Sequence, residues 1–432
     1  MRVLIVGGGG REHALALAMS RSPARPELLI TAGNAGTTQL ARTLRIAVDQ
    51  PTKISEAARR EKVDLVVVGP EAPLCAGLAD LLSEDGVAVF GCSRAAAEIE
   101  GSKAFCKDLL HRHGIPTAAF GVFSMVPEAE LFIDSNFSAH SRIVVKADGL
   151  AAGKGVFLCD GSKEAKRAVR ELLHVGGPRN IVIEEFLVGR EASLMALVVD
   201  EEVVPLPGAE DHKTLLDGDH GPMTGGMGVV SPTPALDDVT AMRITTEILR
   251  PTARALVAEG RPFRGLLFAG LMMTESGPKV LEYNCRFGDP ETEAVLVRLD
   301  PGPRGDLLAA LEAVAHGRVP RALAFTNEVS TTVVMAQAGY PGLLRPPVVL
   351  GRLDEAGALP GVTVFHAGTK REDDRTVSAG GRVLAVTALG ADLDEARSRT
   401  YAAVEVIDFP GAQYRRDIGA RVTSSVPHSG KA

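Results

Sequence analysis

The sequence has neither a surplus of basic residues nor a long hydrophobic run. Its 432 residues carry 47 lysines and arginines against 54 aspartates and glutamates, whereas a general nucleic-acid-binding protein usually shows a basic surplus. No uninterrupted apolar run approaches the roughly 20 residues of a membrane span. The apolar stretch at residues 3–6 meets glycine at once and is too short for a signal-peptide core. We therefore expect a protein that binds neither nucleic acid nor membrane.

Several motifs of well-known chemistry are also missing. The five cysteines, at positions 75, 92, 106, 159 and 285, form no Cys-x-x-Cys pair, which is typical of reduced thiols in the cytoplasm. The ten histidines form no His-Glu-x-x-His pattern, so zinc chemistry is not expected. No Ser-His-Asp or Cys-His signature is recognisable. We therefore expect a cytoplasmic protein without a zinc site.

The first 100 residues alternate short apolar runs with helical segments. Four runs are predicted strands: Arg2–Val6, Glu27–Thr31, Val63–Val68 and Val87–Phe90. The alternation predicts a small parallel sheet with helices on both faces. The turn Gly7–Gly10 lacks the third glycine of G-x-G-x-x-G, and no acid follows the second strand, so no dinucleotide site is predicted. Free glycine N–H groups followed by Arg11 favour a phosphate site; a turn that only lets strand and helix pack is the alternative.

Two further strand ends are expected on the same edge of this sheet. Asn34–Thr37 follows the second strand, and Gly69–Pro73 follows Leu65–Val68. Ligands of open α/β sheets gather outside the carboxyl ends of the strands. Glu71 is therefore a candidate for binding hydroxyls or an amine. A surface turn is the alternative in each case, because these residue types are common in turns.

A second glycine-rich segment lies between two predicted strands, Ile143–Lys146 and Val156–Cys159. The loop Ala147–Gly155 is not a Walker A loop, because Gly149 and Gly153 are one residue too close and no Ser or Thr follows Lys154. Such a hairpin can fold over a triphosphate through its backbone N–H groups. A flexible surface hairpin is the alternative. The strand Ile181–Leu187 is expected to turn at Val188–Arg190 and return along Glu191–Val199.

The stretch Val280–Phe287 is predicted to be a strand with one apolar and one polar face. Leu281, Tyr283, Cys285 and Phe287 would lie on a core, and Glu282, Asn284 and Arg286 would share the other side. Alternate residues lie about 6.6–6.8 Å apart along a strand, so the carboxylate and the amide can reach one small space. Their oxygens are ligands that Mg²⁺ prefers. A solvated face of an antiparallel sheet is the alternative.

Taken together, the motifs resemble one family. They are GGGREHA at 8–14, NAGT at 34–37, GPEAPL at 69–74, GSKAF at 101–105, VKADGLAAGKGV at 145–156, 183–193, 211–213, 224–228, 282–292, HAGTK at 366–370, 380–387 and 416–419. In this order they resemble the phosphoribosylamine–glycine ligases, which are ATP-grasp enzymes of purine synthesis. The resemblance implies a reaction in which glycyl phosphate forms from glycine and ATP and is then attacked by the amine of 5-phosphoribosylamine.

The resemblance also implies a role for individual residues. ATP would be bound by Lys103, Lys146, Asp148, Gly149, Gly153, Lys154, Gly155, Glu184, Glu185, Phe186, Leu187, Glu191 and Asn284. The other substrates would be bound by Gly8, Gly9, Gly10, Arg11, Glu12, Asn34, Gly36, Thr37, Gly69, Pro70, Glu71, Asp211, His212, Thr224, Gly225, Gly226, Met227, Pro290 and Glu291. Glu282 and Asn284 would hold Mg²⁺ or Mn²⁺. Lys213, Arg286 and Asp289 would be catalytic.

The fold that the resemblance implies is α/β and α+β, with several domains. An open parallel α/β domain (1–100) precedes an ATP-grasp core (101–325) with an inserted lid (about 118–189). A mixed α/β domain (326–425) and a flexible tail (426–432) follow, and the chain is expected to act as a monomer. The family usually has asparagine where this chain has Met223, and residues 321–331 match loosely. Another ATP-grasp carboxylate–amine ligase, or a non-catalytic nucleotide-binding regulator, are the alternative functions.

Overall fold

The N-terminal part of the molecule is a parallel sheet, as predicted. The computed structural model describes residues 1–150, 155–174 and 180–420. Its first strands are β1 (Arg2–Val6), β2 (Glu27–Ile30), β3 (Arg42–Thr43), β4 (Leu65–Val68) and β5 (Ala88–Phe90), in the order β3-β2-β1-β4-β5. The helices are α1 (Gly10–Ser20), α2 (Pro51–Arg60), α3 (Glu71–Cys75), α4 (Leu78–Glu84) and α5 (Arg94–Gly101). The Val, Leu and Ile runs are buried on both faces, as in other parallel sheets, and the turns after β1, β2 and β4 meet at one edge.

A second, antiparallel sheet follows. Its elements are α6 (Lys103–Arg112), β6 (Phe120–Phe123), α7 (Val126–Asn136), β7 (Arg142–Ala147), β8 (Val156–Asp160), α8 (Ser162–Leu172) and β9 (Ile181–Glu185). The strand order is β6-β9-β7-β8, and α7 and α8 share a core with it. The strand–loop–strand prediction around 147–155 is confirmed, since β7 pairs with β8. Gly153 and Lys154 lie outside the described residues, as does the tail 426–432.

The central part holds the longest strands. Its elements are β10 (Arg190–Val199), β11 (Glu202–Pro205), β12 (Glu210–Asp211), β13 (Thr214–Leu216), β14 (His220–Met223), β15 (Gly228–Ser231), α9 (Asp238–Ile244), α10 (Arg250–Ala258), β16 (Arg264–Thr274), β17 (Gly277–Asn284), α11 (Glu291–Leu296) and α12 (Leu307–Ala315). The antiparallel order is β11-β10-β16-β17. The expected return of β9 along β10 is wrong, because β10 pairs with β16 and β11 whereas β9 pairs with β6 and β7.

The C-terminal part is built on a sheet that also takes strands from the central part. Its elements are β18 (Val329–Ala336), β19 (Val349–Leu350), α13 (Leu353–Gly357), β20 (Val362–His366), β21 (Thr369–Glu372), β22 (Arg375–Ser378), β23 (Arg382–Gly390) and α14 (Leu393–Val406). One sheet runs β12-β15-β18-β23-β20, and a smaller one runs β19-β22-β21. The predicted mixture of parallel and antiparallel α/β parts is thus confirmed. Among the described residues, no helix is both long and apolar enough to cross a membrane.

Candidate functional site

Three lysines from different elements face one carboxylate on β17. Lys103 begins α6, Lys146 lies on β7, and Lys213 precedes β13. Burial alone would raise the pKa of Glu282, but Lys213, Lys146 and Lys103 together lower it. The Nζ atom of Lys103 also donates to the backbone oxygen of Gly149 at 2.8 Å. This concentration of positive charge around one ionised carboxylate suits a polyphosphate bound with a divalent cation.

Lys146 is held in place by a buried acid. Its Nζ lies 2.9 Å from Oε1 of Glu184, and Nζ of Lys107 lies 2.9 Å from Oε2 of the same side chain. Lys107 also donates to Oγ1 of Thr117 at 2.7 Å. Both Glu184 and Lys107 are 2% exposed, so the charges need each other. The Glu184 side chain, predicted to bind ATP, here holds Lys146 in place, and Lys107 was not predicted.

An apolar patch lies beside these charges, and the side chains of β17 that form its edge do not alternate as predicted. Leu187, Ala118 and Met272 form a small buried cluster, against which Leu281 packs. The pairing of β16 with β17 shifts register at Leu281, so that Val280 is opposite Leu271 and Glu282 is opposite Gly270. The bulge removes Leu281 from the predicted core face and turns it to the same side as Glu282. Regular pairing also ends at Asn284, before the predicted end at 287.

The space next to Glu282 is lined by acids and by Lys213. Its walls include Glu191, Ser193, Asp211, Lys213, Leu281 and Glu282. Nζ of Lys213 lies 3.3 Å from Oδ2 of Asp211, while the buried Oδ1 of Asp211 has no hydrogen-bond partner within the described ranges. Burial and the neighbouring Asp211 raise the pKa of Glu291 to about 7. The wall therefore offers oxygen acceptors to a bound cation or amine.

Arg286 connects the end of β17 to the N-terminal sheet. Its guanidinium lies 3.2 Å from Glu71 at the start of α3 and 3.3 Å from the buried Glu100. It also donates to Oδ1 of Asn284 at 3.2 Å. The structure thus brings together the predicted catalytic Arg286, the predicted metal ligand Asn284 and the predicted substrate ligand Glu71. Glu100 was not predicted.

The glycine turn before α1 differs from the prediction, because its N–H groups are not all free. Gly8 and Gly9 donate to Oε2 of Glu12 at 3.1 and 2.6 Å, and Arg11 donates to the other oxygen at 2.5 Å. Glu12 is the third residue of α1, whose cap residue is Gly9, and a glutamate at this position commonly reaches back to the cap. The carboxylate of Asp289 lies beside the same turn, since its Oδ2 would be 3.5 Å from a Cβ atom added at Gly9. Protein acids therefore occupy this end of the helix.

The Asn34–Thr37 segment supports the same turn from the second strand. Nδ2 of Asn34 donates to the backbone oxygens of Gly8, Gly9 and His366, while Oδ1 accepts from the N–H groups of Gly36 and Thr37. This asparagine is 5% exposed, and Thr37 is fully buried. The Asn34 side chain thus holds the glycine turn, while the Thr37 hydroxyl bonds the backbone of Asn34. Direct substrate binding by either stays a prediction.

Residues of the C-terminal part hold the glycine-rich loop at 224–228, and the sequence did not single them out. Nη1 of Arg382 donates to the backbone oxygens of Gly225 at 2.8 Å and Asp289 at 2.7 Å, and Nη2 lies 3.1 Å from Oδ1 of Asp289. The hydroxyl of Tyr340 accepts from the N–H of Gly225 at 3.1 Å. The sequence did offer a signal for Arg382. It is a basic residue at the start of an otherwise apolar strand, directly after Gly380-Gly381.

Other predicted residues lie around this centre with partners of their own. Asp148 accepts from Ser102 and from the N–H of Ala104, so its carboxylate caps α6. Glu185 pairs with Lys279 at 3.0 Å. The guanidinium of Arg142 lies 3.6 Å from the centre of the Phe186 ring. The contacts of Asp148 and Glu185 connect the β6–β9 sheet to α6 and β17, whereas the Arg142–Phe186 contact lies within that sheet. Roles of these residues in nucleotide binding stay predictions.

Comparison with known proteins identifies the family. Residues 1–100, 101–292 and 330–421 match the N domain, the ATP-grasp (A) domain and the C domain of phosphoribosylglycinamide synthetase. The chain is 45% identical over 425 residues to a phosphoribosylamine–glycine ligase of Brucella melitensis, covering 98% of each, and 46% identical to that of Allochromatium vinosum, again covering 98% of each.

Solved structures agree with the sequence comparison. The crystal structure of phosphoribosylamine–glycine ligase from Thermotoga maritima matches with a TM-score of 0.83 and 33% identity, covering 97% of this chain and 100% of that one. The biotin carboxylase domain of Hydrogenobacter thermophilus 2-oxoglutarate carboxylase shares the fold at 16% identity, with a TM-score of 0.71 and coverage of 96% and 91%. The chain therefore belongs to the phosphoribosylglycinamide synthetase family, ligases of purine biosynthesis with the ATP-grasp fold.

Proposed function

We propose that the chain uses ATP to join glycine to 5-phosphoribosylamine, giving glycinamide ribonucleotide, ADP and phosphate. The observation that carries the proposal is the convergence of Lys103, Lys146 and Lys213 on Glu282, beside a space lined by further acids. Glycine's carboxylate attacks the γ-phosphate to form glycyl phosphate, and the amine then attacks the acyl carbon. Neither step needs a protein nucleophile, so positioning and charge neutralisation supply the rate.

ATP would lie between the lysines and the apolar patch. Lys103 and Lys146 would contact its phosphates, and adenine would pack on Leu187 and Leu281. Glu282 and Asn284 suit a divalent cation, because both offer hard oxygen ligands and the Glu282 carboxylate makes no hydrogen bond within the described part of the chain. When bound, the metal would neutralise phosphate charge. We propose Mg²⁺, with Mn²⁺ as a substitute.

Glycine would bind where Asp211 and Lys213 meet. The unpartnered Oδ1 of Asp211 can accept a hydrogen bond from glycine's ammonium group. Lys213 lies beside both Asp211 and Glu282, so it can hold the carboxylate towards the γ-phosphate. Orienting the two reacting groups in this way is worth several kcal/mol of barrier, on the order of 7–11 in well-aligned intramolecular reactions.

Phosphoribosylamine would bind at the edge formed by Glu71, the glycine turn and Asp289. Burial alone would raise the pKa of Asp289, but Arg382, Arg11 and Arg286 lower it, so its carboxylate is ionised. When the amine attacks glycyl phosphate, its nitrogen must lose a proton. We assign Asp289 as the acceptor, since it is an ionised carboxylate beside the turn.

The proposed division of the chain follows the same roles. Residues 1–100 would bind phosphoribosylamine, 101–325 would bind ATP and glycine with a lid at about 118–189, and 326–425 would cover the site. The matched family segments support these boundaries. We further propose that the protein acts as a monomer in the cytoplasm.

The experiment that tests the function measures ADP release with Mg²⁺-ATP, adding glycine and freshly made phosphoribosylamine separately and together. Release is expected only with both, accompanied by glycinamide ribonucleotide. ADP release that requires a different acid or amine would overturn the substrate assignment.

The same assay tests the metal assignment through Glu282→Gln, which keeps the shape and removes the charge. We expect kcat to fall at least about 100-fold, the usual effect of losing one electrostatic contact at a reaction centre. Glu275→Gln, on an exposed part of the turn before β17, is the matched control and should leave kcat unchanged. Unchanged turnover in Glu282→Gln would remove this residue from the proposed metal site.

A further inference from the structure

A buried glutamate next to the proposed substrate site has no role in the steps above. Glu293, on α11, is 1% exposed. Its Oε2 is buried and has no hydrogen-bond partner within 1–150, 155–174 and 180–420. An ionised carboxylate in such a place would lose its hydration without replacement, which is strongly unfavourable.

The position of Glu293 against the glycine turn is specific. A Cβ atom added at Gly10 would collide with Oε1 of Glu293, so the carboxylate closely approaches the backbone of the turn. The charged groups that face it are Asp289 from the turn before α11, Arg11 from α1 and Arg382 from β23. The strands β15 and β18, which also pack against α11, carry no titratable side chain.

The two acids at this position are pushed towards opposite charge states. Burial, and then the charge of Asp289, raise the pKa of Glu293 well above its usual range. Asp289 has the direct contact with an arginine: Nη2 of Arg382 lies 3.1 Å from its Oδ1, and Arg382, Arg11 and Arg286 lower its pKa. Neighbouring acids that differ in this way are a common arrangement where one must stay neutral and the other must act as a base.

We propose that Glu293 carries a proton at neutral pH and is a positioning residue, an uncharged partner that leaves Asp289 as the ionised acid facing the amine. This deepens the proposed function, because it assigns the charge state of the proton-accepting site. If Glu293 were also ionised, its charge would repel that of Asp289 and favour protonation of Asp289. Asp289 could then no longer accept the proton of the amine.

Stability provides a test that does not depend on activity. An acid that stays protonated in the folded protein and ionises on unfolding lowers stability as pH rises above the unfolded pKa of about 4.5. Glu293→Gln keeps the shape without a titrating group. Its urea midpoint should therefore exceed that of the unchanged protein at about pH 8 and approach it at about pH 4.5. A lower midpoint at pH 8 would mean that Glu293 is ionised and would overturn the proposal.

Infrared spectroscopy and kinetics complete the test. At neutral pH the difference spectrum between the unchanged protein and Glu293→Gln should contain the C=O stretch of a protonated carboxyl group, and Glu275→Gln serves as the exposed control. Glu293→Leu, which changes the shape and polarity of the side chain beside Asp289, should lower kcat about tenfold, or about 1.4 kcal/mol, and Glu293→Gln, which is neutral and keeps the shape, should retain most of kcat. Absence of the carboxyl band, or a larger loss in the Gln variant than in the Leu variant, would overturn the proposal.

These outcomes are separable from those of the proposed function. If the unchanged protein fails to ligate glycine to phosphoribosylamine, the proposed function fails, while the urea and infrared measurements still decide whether Glu293 is protonated.

Discussion

Arg382 provides a direct test of whether the C-terminal part completes the site. Its guanidinium donates to the backbone oxygens of Gly225 and Asp289 and pairs with the Asp289 carboxylate at 3.1 Å. The two side chains are only 22% and 19% exposed, so solvent screens the pair less than it screens a surface ion pair. Replacing the arginine with alanine should release both the glycine-rich loop and the Asp289 turn.

The expected size of the effect follows from these contacts. A hydrogen bond to a charged group contributes about 1.5–3 kcal/mol, and three such contacts do not add fully because they share one side chain. Arg11 and Arg286 still face Asp289 in the variant. We therefore take about 3–4 kcal/mol as the loss of transition-state stabilisation in Arg382→Ala. At 1.36 kcal/mol per tenfold, kcat/KM should fall about 10²- to 10³-fold.

The assay is a double-mutant cycle on kcat/KM for phosphoribosylamine, with Arg382→Ala, Asp289→Asn and the double variant. The two changes should be non-additive by at least about 1 kcal/mol, as expected for residues in contact. Arg254→Ala, which breaks a half-exposed surface pair with Glu201 at 3.4 Å, is the control and should leave kcat/KM unchanged. Additive effects, or a fall of less than about threefold in Arg382→Ala, would refute the assigned role.

Two further predictions concern buried histidines and a constrained glycine. Burial lowers the pKa of His13 to about 3 and that of His366 to about 4. Between about pH 6.5 and 4, these histidines therefore bind protons in the unfolded chain but not in the folded one. As the pH falls through this range, each histidine should reduce stability by up to about 1.4 kcal/mol per pH unit. His13→Asn should reduce that slope in urea titrations, and an unchanged slope would contradict this. Gly226 has φ +114, and an added Cβ would lie 2.5 Å from Pro290, so Gly226→Ala should lower kcat/KM at least about tenfold. Gly260→Ala, with φ +72 and open space, should lose about 1 kcal/mol of stability and no activity; equal activity losses in both would contradict the prediction.

The parts of the fold that the sequence predicts are those that local physics determines. The strands β1, β2, β4 and β5 were found from short Val, Leu and Ile runs that end at glycine or a turn residue, and their shared edge follows from parallel connection. The pairing of the strands was harder to predict from the sequence. Short apolar runs identify β9 and β10 as strands, but they carry no information about partners, and β10 pairs with β16 about 70 residues further along the chain.

In the site, too, local features were predicted and long-range contacts were not. Glu282, Asn284 and Arg286 were found because three polar residues alternate in one strand, yet the bulge at Leu281 was not visible, since nothing in the alternation marks an extra residue. The partners Lys107, Glu100 and Arg382 were missed because each meets the site across a long sequence separation, 157 residues between Arg382 and Gly225. A charged residue in an otherwise apolar segment is a signal that something must pair with it, but it does not identify the partner.

The glycine turn shows how such a missed partner changes the chemistry expected of a motif. A helix that begins after free glycine N–H groups favours an anion, and from the sequence this anion was expected to be a phosphate. In the folded chain, the Glu12 carboxylate accepts from the N–H groups of Gly8 and Gly9, and the Asp289 carboxylate lies beside the same turn. The protein thus supplies the negative charge that the start of α1 requires. We therefore propose that the amine and hydroxyl groups of phosphoribosylamine, rather than its phosphate, meet these carboxylate oxygens, because these groups can donate hydrogen bonds to them.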